Sequence, residues 1–117
     1  MKRPSLMHRY SEFRILAECR NGYVAECSCC CELNFAYKNI LLSFGEEDML
    51  RFLLWLRDSR DCEDNYLPLP HCRDRVYRSP LENFYLTFNL QELAEIEQLL
   101  AEVSLIVEAR KIIHNGD

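Results

Sequence analysis

The sequence predicts an α+β domain in which a small antiparallel sheet packs against two helices. Three features lead to this prediction: a hairpin pattern near the start of the chain, and two places where an apolar strand runs directly into a helix. The chain has 117 residues, of which 49% are hydrophobic. We therefore expect one domain, spanning residues 1–117, that is large enough to bury a core of its own.

The first predicted element is a β-hairpin. Residues 13–19 and residues 23–27 alternate in part between apolar and polar side chains. Between them lie Asn21 and Gly22, two residue types that tolerate the positive φ angles of a type I′ turn. We therefore place Asn21 and Gly22 at the centre of the turn.

A third strand and a first helix follow the hairpin. Residues 34–44 are rich in aromatic and branched side chains, which favours a strand. Gly45 then offers a helix N-cap, and three acidic residues after it place negative charge at the positive end of the helix dipole. The helix should run to about Ser59. Its apolar side chains form a main stripe with further apolar residues on both flanks: Met49, Phe52, Leu53 and Leu56, then Leu50, Leu54 and Trp55.

A polar connection with three prolines precedes a second strand-to-helix unit, and it has room for one short strand at residues 75–78. Residues 84–88 predict the strand of this second unit. They lead into Asn89, with Glu92 three residues later, which is the pattern of a capping box. The helix should reach Ile113. Beside its main apolar stripe it carries a second, narrower one, formed by Ala94, Ala101, Leu105 and Ile112.

The two strand-to-helix units resemble each other. Residues 40–49 align without gaps on residues 84–93, a shift of 44 residues. Both segments have apolar strand residues, a hydroxyl residue before Phe, a capping residue and an acid at the third helical position. The alignment is compatible with an internal β-α duplication, and also with features that strand-to-helix junctions commonly share.

The helices carry more apolar residues than one small sheet is expected to cover. This surplus consists of the flanking residues of the first helix and the second stripe of the last helix. Because exposed apolar surface commonly marks an interface, and soluble oligomers are most often two-fold dimers, we predict a homodimer or another protein partner.

The strongest candidate for chemistry is a cluster of four thiols in five residues, Cys27-Ser28-Cys29-Cys30-Cys31, directly after the hairpin. Cys27 and Cys30 have the Cys-x-x-Cys spacing, in which two thiolates on a tight turn reach one tetrahedral ion from the same side. The pattern therefore predicts a zinc knuckle. Redox chemistry, copper(I) handling and plain burial remain open alternatives, since free cysteine is among the most buried residue types.

A structural zinc ion requires four ligands. We take the second half of the site from His71 and Cys72, because they lie in a proline-bounded loop whose backbone can adapt, although adjacent residues seldom both bind one tetrahedral ion. The other candidates are His8, Cys29, Cys31 and Cys62. The predicted metal site is therefore Cys27, Cys30, His71 and Cys72.

Cys19 is predicted not to share this metal. With Asn21 and Gly22 at the centre of the turn, Cys19 pairs with Val24. Because neighbouring residues of a strand face opposite sides of the sheet, Cys19 and Cys27 then point away from each other.

Enzymatic motifs are sparse, and we predict a non-catalytic protein. The three glycines have turn or cap roles, so a Gly-rich phosphate loop is excluded, and the acid pairs suit a helix start and a solvated loop. A net charge of −5 argues against strongly electrostatic binding of nucleic acid. A loop that binds phosphate or single strands stays an alternative, because basic and aromatic residues gather in the connection: Arg57, Arg60, Tyr66, Arg73, Arg75, Tyr77 and Arg78.

The first residues lack the apolar region of a signal peptide, and no run approaches the roughly 18 apolar residues of a membrane span. We therefore expect a cytoplasmic protein without a membrane partner. In a reducing compartment its seven cysteines are expected to be thiols or metal ligands rather than disulfides.

Residues 23–56 resemble a small family of uncharacterised bacterial proteins, mostly from Bacteroidetes, known as a domain of unknown function. In that family a Cys-x-x-Cys pair precedes an apolar strand containing Asn, and a helix follows. The residues that carry the resemblance are Cys27-Ser28-Cys29-Cys30, Phe35, Asn39-Ile40-Leu41-Leu42 and the acidic helix start. The resemblance implies no activity, cofactor or partner.

These observations predict a metal-stapled, zinc-knuckle-like protein-interaction module. The second interpretation is a thiol-dependent metal-handling or redox protein, and the third is a nucleic-acid-binding ribbon.

Overall fold

The computed structural model describes residues 13–28 and 31–115. In chain order, these residues form β1 (Phe13–Cys19), β2 (Gly22–Cys27), β3 (Leu33–Tyr37), β4 (Ile40–Phe44), α1 (Glu46–Arg60), β5 (Arg75–Arg78), β6 (Tyr85–Phe88) and α2 (Leu90–Asn115). The first four strands make one antiparallel sheet in the order β1-β2-β3-β4, and β5 pairs with β6 in a separate two-stranded sheet. The predicted α+β class, with two helices, is confirmed.

The core lies between one face of the four-stranded sheet and both helices. Alternate residues of the middle strands face it, so that Val24 and Phe35, which are opposite each other, are both fully buried. The helices contribute their main stripes, and the second sheet adds Tyr77 and Phe88. Helix residues of the core include Met49, Leu53, Leu56, Leu93, Ile96, Leu99, Leu100 and Val103.

The predicted hairpin is present, but its predicted turn is wrong. Cys19 pairs with Gly22, so that Arg20 and Asn21 form the turn and Gly22 belongs to β2. The glycine is needed there for close packing, because a Cβ atom at position 22 would lie 2.2 Å from the carbonyl oxygen of Ala36 in β3. The register shifts once more within β1, at a bulge between Ile15 and Ala17.

The expectation that Cys19 and Cys27 face opposite sides of the sheet is confirmed in spite of the wrong turn. Cys19 pairs with Gly22, and Cys27 follows Gly22 by an odd number of positions along the same strand. Cys19 is predicted to pair with Val24 and in fact pairs with Gly22, two residues away, and a shift of two leaves Cys19 on the same face.

The single strand predicted over residues 34–44 is in fact the hairpin β3–β4. Lys38 and Asn39 form its two-residue turn, with Tyr37 opposite Ile40. Lys38 adopts a left-handed backbone with φ 51°, which reverses the chain inside an otherwise apolar run.

The alignment at a shift of 44 residues corresponds to matching structure. β4 and β6 end at Phe44 and Phe88, and each strand is the second strand of a hairpin. The helices begin at positions 46 and 90, and the matched residues Met49 and Leu93 are both buried. The chain therefore contains two β-β-α units of the same design, whereas their common ancestry stays a prediction.

We predict that Gly22→Ala lowers the free energy of unfolding by about 2–3 kcal/mol, because the added methyl group would displace the β3 backbone. Gly45→Ala is the matched control: no atom lies within 4 Å of its Cβ position, and we expect a change of no more than about 0.5 kcal/mol. Urea denaturation of both variants tests this. Equal midpoints for the two variants would contradict the packing role of Gly22.

Candidate functional site

The cysteine cluster lies in the connection between β2 and β3. Cys27 ends β2 and its side chain is 0% exposed, on the face of the sheet that points away from the helices. Its N–H donates to the carbonyl oxygen of Glu32, and its carbonyl oxygen accepts the N–H of Cys31, both at 2.9 Å. These two bonds close a tight turn in which Cys31 is exposed and has φ 60°. Cys29 and Cys30 lie outside the described residues.

His71 and Cys72 occupy a short 3-10 turn before β5, where both have positive φ angles and exposed side chains. This turn is tied to the start of α2, because Arg73 donates to Glu92 at 2.8 Å. The β2 end of the cysteine turn is tied to the other end of α2, because Arg110 donates to Glu26 at 2.7 Å.

The two halves of the predicted metal site are therefore far apart. Glu92 and Arg110 are separated by 18 positions of one helix, or about 27 Å along its axis. The structure thus does not bring His71 and Cys72 to Cys27.

Within residues 13–28 and 31–115, no group of three or more His, Cys, Asp and Glu side chains is arranged to hold a metal ion. Cys62 is exposed, and Cys19 packs partly buried against the core on the opposite sheet face from Cys27. His8 and Cys30 lie outside the described residues. Metal binding by the pair Cys27 and Cys30 stays a prediction.

Arg60 and Arg75 of the connection contact other side chains of the protein. One guanidinium nitrogen of Arg60 lies 2.8 and 2.7 Å from the two carboxylate oxygens of buried Glu97, and Arg75 stacks over the ring of Tyr66 at 4.9 Å. Tyr77 is buried, and its hydroxyl donates to the carbonyl oxygen of Leu56 at 3.0 Å. This arrangement favours a structural role for these side chains over the phosphate-binding loop.

A polar cluster surrounds the start of α2. Glu92 is buried and accepts hydrogen bonds from Lys38, from Arg73 at 2.8 Å and from the backbone N–H of Asn89 at 3.0 Å. Asn89 in turn accepts the Glu92 N–H at 2.7 Å, which confirms the predicted capping box. Burial alone would raise the pKa of Glu92, but these hydrogen bonds and the two cations outweigh it and lower the pKa.

A polar cavity of about 410 Å³ adjoins this cluster. On its wall, the Tyr37 hydroxyl donates to Glu95 at 2.5 Å, and the Asn21 amide donates to the same oxygen at 2.8 Å. Burial and the bond to Glu95 raise the pKa of Tyr37, so this hydroxyl stays a proton donor to a fixed acceptor. Because these polar groups already bond to one another, we assign the cluster a structural role.

A second cavity is an apolar groove of about 820 Å³. One part of its lining is residues 39–42, at the end of the β3–β4 turn and the start of β4. The other part, called the second wall, consists of Arg78 at the end of β5, residues of the loop that follows and Leu86 of β6. Phe52 and Trp55 of α1 lie at its base, and Trp55 is 38% exposed. The sequence predicts Trp55 as an apolar residue beside the main stripe of α1. It does not predict the second wall, because Leu81 and Phe84 lie in or beside the proline-containing connection.

The described residues thus define a small α+β domain with an open apolar groove, in which polar clusters serve mainly to join the elements. The chain belongs to a family of unknown function (DUF6686), whose model matches residues 7–113. Comparison with curated proteins and with solved structures found no match. No described helix combines the length and the apolar character needed to cross a bilayer.

We predict that Glu92→Gln lowers the free energy of unfolding at pH 7 by about 2 kcal/mol, because it removes a charge bound to two cations while retaining the cap. Since the folded-state pKa of Glu92 is lowered, its stabilisation is present above the unfolded-state value of about 4.3 and is lost as the pH falls through the folded-state pKa. Urea denaturation from neutral to acid pH should therefore show a shallower pH dependence for Glu92→Gln.

Glu82→Gln is the control for this experiment. Glu82 is an exposed carboxylate in the loop between β5 and β6, and its substitution should leave the pH dependence unchanged. If the stability of Glu92→Gln had the same pH dependence as that of the wild type, the buried ion cluster would contribute nothing to folding.

Proposed function

We propose that the protein is a non-catalytic interaction module that binds a second copy of itself or another protein through apolar surface left over after the core has formed. The observation that carries this proposal is the exposure of large apolar side chains on both helices. On α1, Leu50 and Leu54 point outward, and on α2, Leu105 and Ile112 are each 71% exposed. Isolated exposed leucines are common, but two residues of one helical stripe indicate an interface.

The α2 stripe is the surface best suited to self-association. Ala101, Leu105 and Ile112 are spaced by four and seven residues, so they follow one line along the helix. Ala101 is small enough to let a second helix approach closely, while Leu105 and Ile112 supply apolar contact area. A two-fold axis would place the stripe against the same stripe of a second copy.

We predict that the wild-type protein sediments as a dimer at high micromolar concentration and that Leu105→Glu dissociates it. Placing a charge at the centre of the interface should weaken association roughly thirty-fold, because loss of a central apolar anchor costs about 2 kcal/mol or more. Leu67→Glu makes the same substitution at an exposed position of the connection, away from α2, and should remain dimeric. A wild-type monomer, or equal dissociation by both variants, would contradict self-association through this stripe.

We also propose that the Cys27 turn is a local zinc staple. The Cys-x-x-Cys spacing and the tight turn closed by backbone hydrogen bonds support this proposal. We expect the same turn in the other members of the family, and a bacterial origin for them. Thiol-dependent handling of copper(I) or redox chemistry at the same thiols is the competing function, and the metal content distinguishes the two.

For the metal, we predict that the protein purified without added metal contains zinc, that Cys27→Ser and Cys30→Ser each lose it, and that Cys19→Ser retains it, because Cys19 faces the other side of the sheet. Elemental analysis by mass spectrometry gives the zinc content of each variant. Chelation should leave helical circular dichroism largely intact, since the described residues of the turn are not part of the core around which the helices pack. Absence of zinc from the wild type, or its loss from Cys19→Ser, would contradict the proposed site.

A further inference from the structure

The apolar groove is lined in part by two strands, β4 and β6, that each lie at the edge of a sheet among the described residues. β4 is the last strand of the four-stranded sheet, and β6 is an outer strand of the two-stranded sheet. Both strands contribute residues to the groove walls, and the described residues show no pairing between them. On each side of the groove there is therefore a strand with one edge that pairs with no other described strand.

The pairing of β4 shows which of its backbone groups face the groove side. Tyr37 and Ile40 flank a two-residue turn, so they form a hydrogen-bonded pair. Because such pairs alternate along an antiparallel ladder, Leu42 also bonds to β3, whereas the N–H and C=O of Leu41 and Ser43 point away from β3. These outward groups can bond to one further strand.

The two outer strands of the four-stranded sheet, β1 and β4, differ in how well they are protected against pairing with another chain. β1 carries the charged residues Arg14 and Glu18 and a bulge, which are devices that keep an edge from pairing with other chains. β4 has the sequence Ile-Leu-Leu-Ser-Phe, without a charge, a proline or a bulge. An unprotected apolar edge is a hazard unless it has a partner.

We propose that the groove binds an extended, apolar peptide segment of a partner protein, which adds to the β4 edge as a strand. This inference rests on the proposed interaction function and names its partner. A segment of about five residues would match β4, which is roughly 17 Å long. Its apolar side chains would pack on Phe52, Trp55 and Leu86.

The charge at the groove defines a further property of the segment. Arg78 is the one charged residue among the described residues that line the groove, and it is exposed. A carboxylate near one end of the segment would pair with it. The ligand is therefore an apolar strand that carries an acidic residue.

A second copy of the chain fits this groove less well than a single segment does. The β4 strand of another copy carries β3 on its other edge, and that β3 would meet the β6 wall. A lone extended segment has two free edges and fits between both walls.

The test uses a display library of random heptapeptides, followed by titration of the enriched peptide while the fluorescence of Trp55 is recorded. Trp55 is the single tryptophan of the chain and lies in the groove, so binding there should change its emission. We expect alternating apolar residues with one acidic residue. Methylation of alternate peptide nitrogens, those facing β4, should weaken binding at least about tenfold, and methylation of the others should not.

Variants at two positions, Leu41 and Arg78, test the two contacts separately. Leu41→Pro removes an outward N–H that β3 does not use, so it should fold and lose about tenfold or more in affinity, whereas Leu41→Ala should lose less. Arg78→Glu should lower the affinity for the acidic peptide. The same variant should bind a version of the peptide that carries Lys in place of the acidic residue. The Arg78 variant keeps the proposal testable if Leu41→Pro fails to fold.

Several results would overturn the proposal. Binding that is indifferent to N-methylation, or a Trp55 response to lauric acid but to no peptide, would assign the groove to a different ligand class. Dissociation of a wild-type dimer by Leu41→Pro would assign it to a second copy. If Leu105→Glu dissociates the dimer but no peptide binds, the proposed interaction module stands and the groove proposal fails. If no dimer forms and no peptide binds, both proposals fail.

Discussion

The buried carboxylate of Glu92 is the interaction on which the arrangement of the two sheets depends. It belongs to α2, caps the backbone directly after β6, and binds Lys38 in the β3–β4 turn and Arg73 ahead of β5. One side chain thus joins a hairpin from each sheet to the same helix end. Because the groove is bordered by β4 and β6, its width depends on this junction. A buried carboxylate with three partners is stable, whereas one that loses its cations would be costly to bury.

The same principle recurs along α2, which serves as the central element of the fold. Near its middle, Glu97 binds Arg60 at the end of α1, and near its C-terminal end, Arg110 binds buried Glu26 of β2. Burial would raise the pKa of Glu26, but the bonds to Arg110 and Arg14 lower it. Apolar attraction is non-directional, whereas an ion pair requires its two partners to lie opposite each other. Ion pairs therefore fix the position of α2 along its own axis, and apolar packing holds α2 against the sheet.

Local patterns in the sequence predicted the α+β class, both helices and the Asn89–Glu92 capping box, because each depends on residues close together in the chain. The errors arose where one residue type serves two purposes. Glycine suits both a turn and the close approach of two strands. At Gly22 it serves the close approach, and only the position of Ala36 in β3 shows this. The partners of Glu92 were missed for a related reason, since Lys38 is 54 residues away and no local signal marks such a contact. Likewise, the proline-bounded loop that suggests His71 and Cys72 as ligands carries no information about the length of α2 that separates this loop from Cys27.

Comparison of the two β-β-α units explains why a groove is found beside one helix. At the shift of 44 residues, Phe52 and Trp55 of α1 correspond to Ile96 and Leu99 of α2. Ile96 and Leu99 are buried in the core, whereas Phe52 and Trp55 line the groove, with Trp55 more than a third exposed. Both helices thus present large apolar residues at the same positions, but within the described residues those of α2 are more completely covered. Full burial of such a residue is worth about 1.5–3 kcal/mol. Partial exposure of Phe52 and Trp55 therefore forgoes part of this stabilisation. A bound strand between β4 and β6 would give α1 the cover that α2 already has, which is the physical reason for placing the partner at this groove.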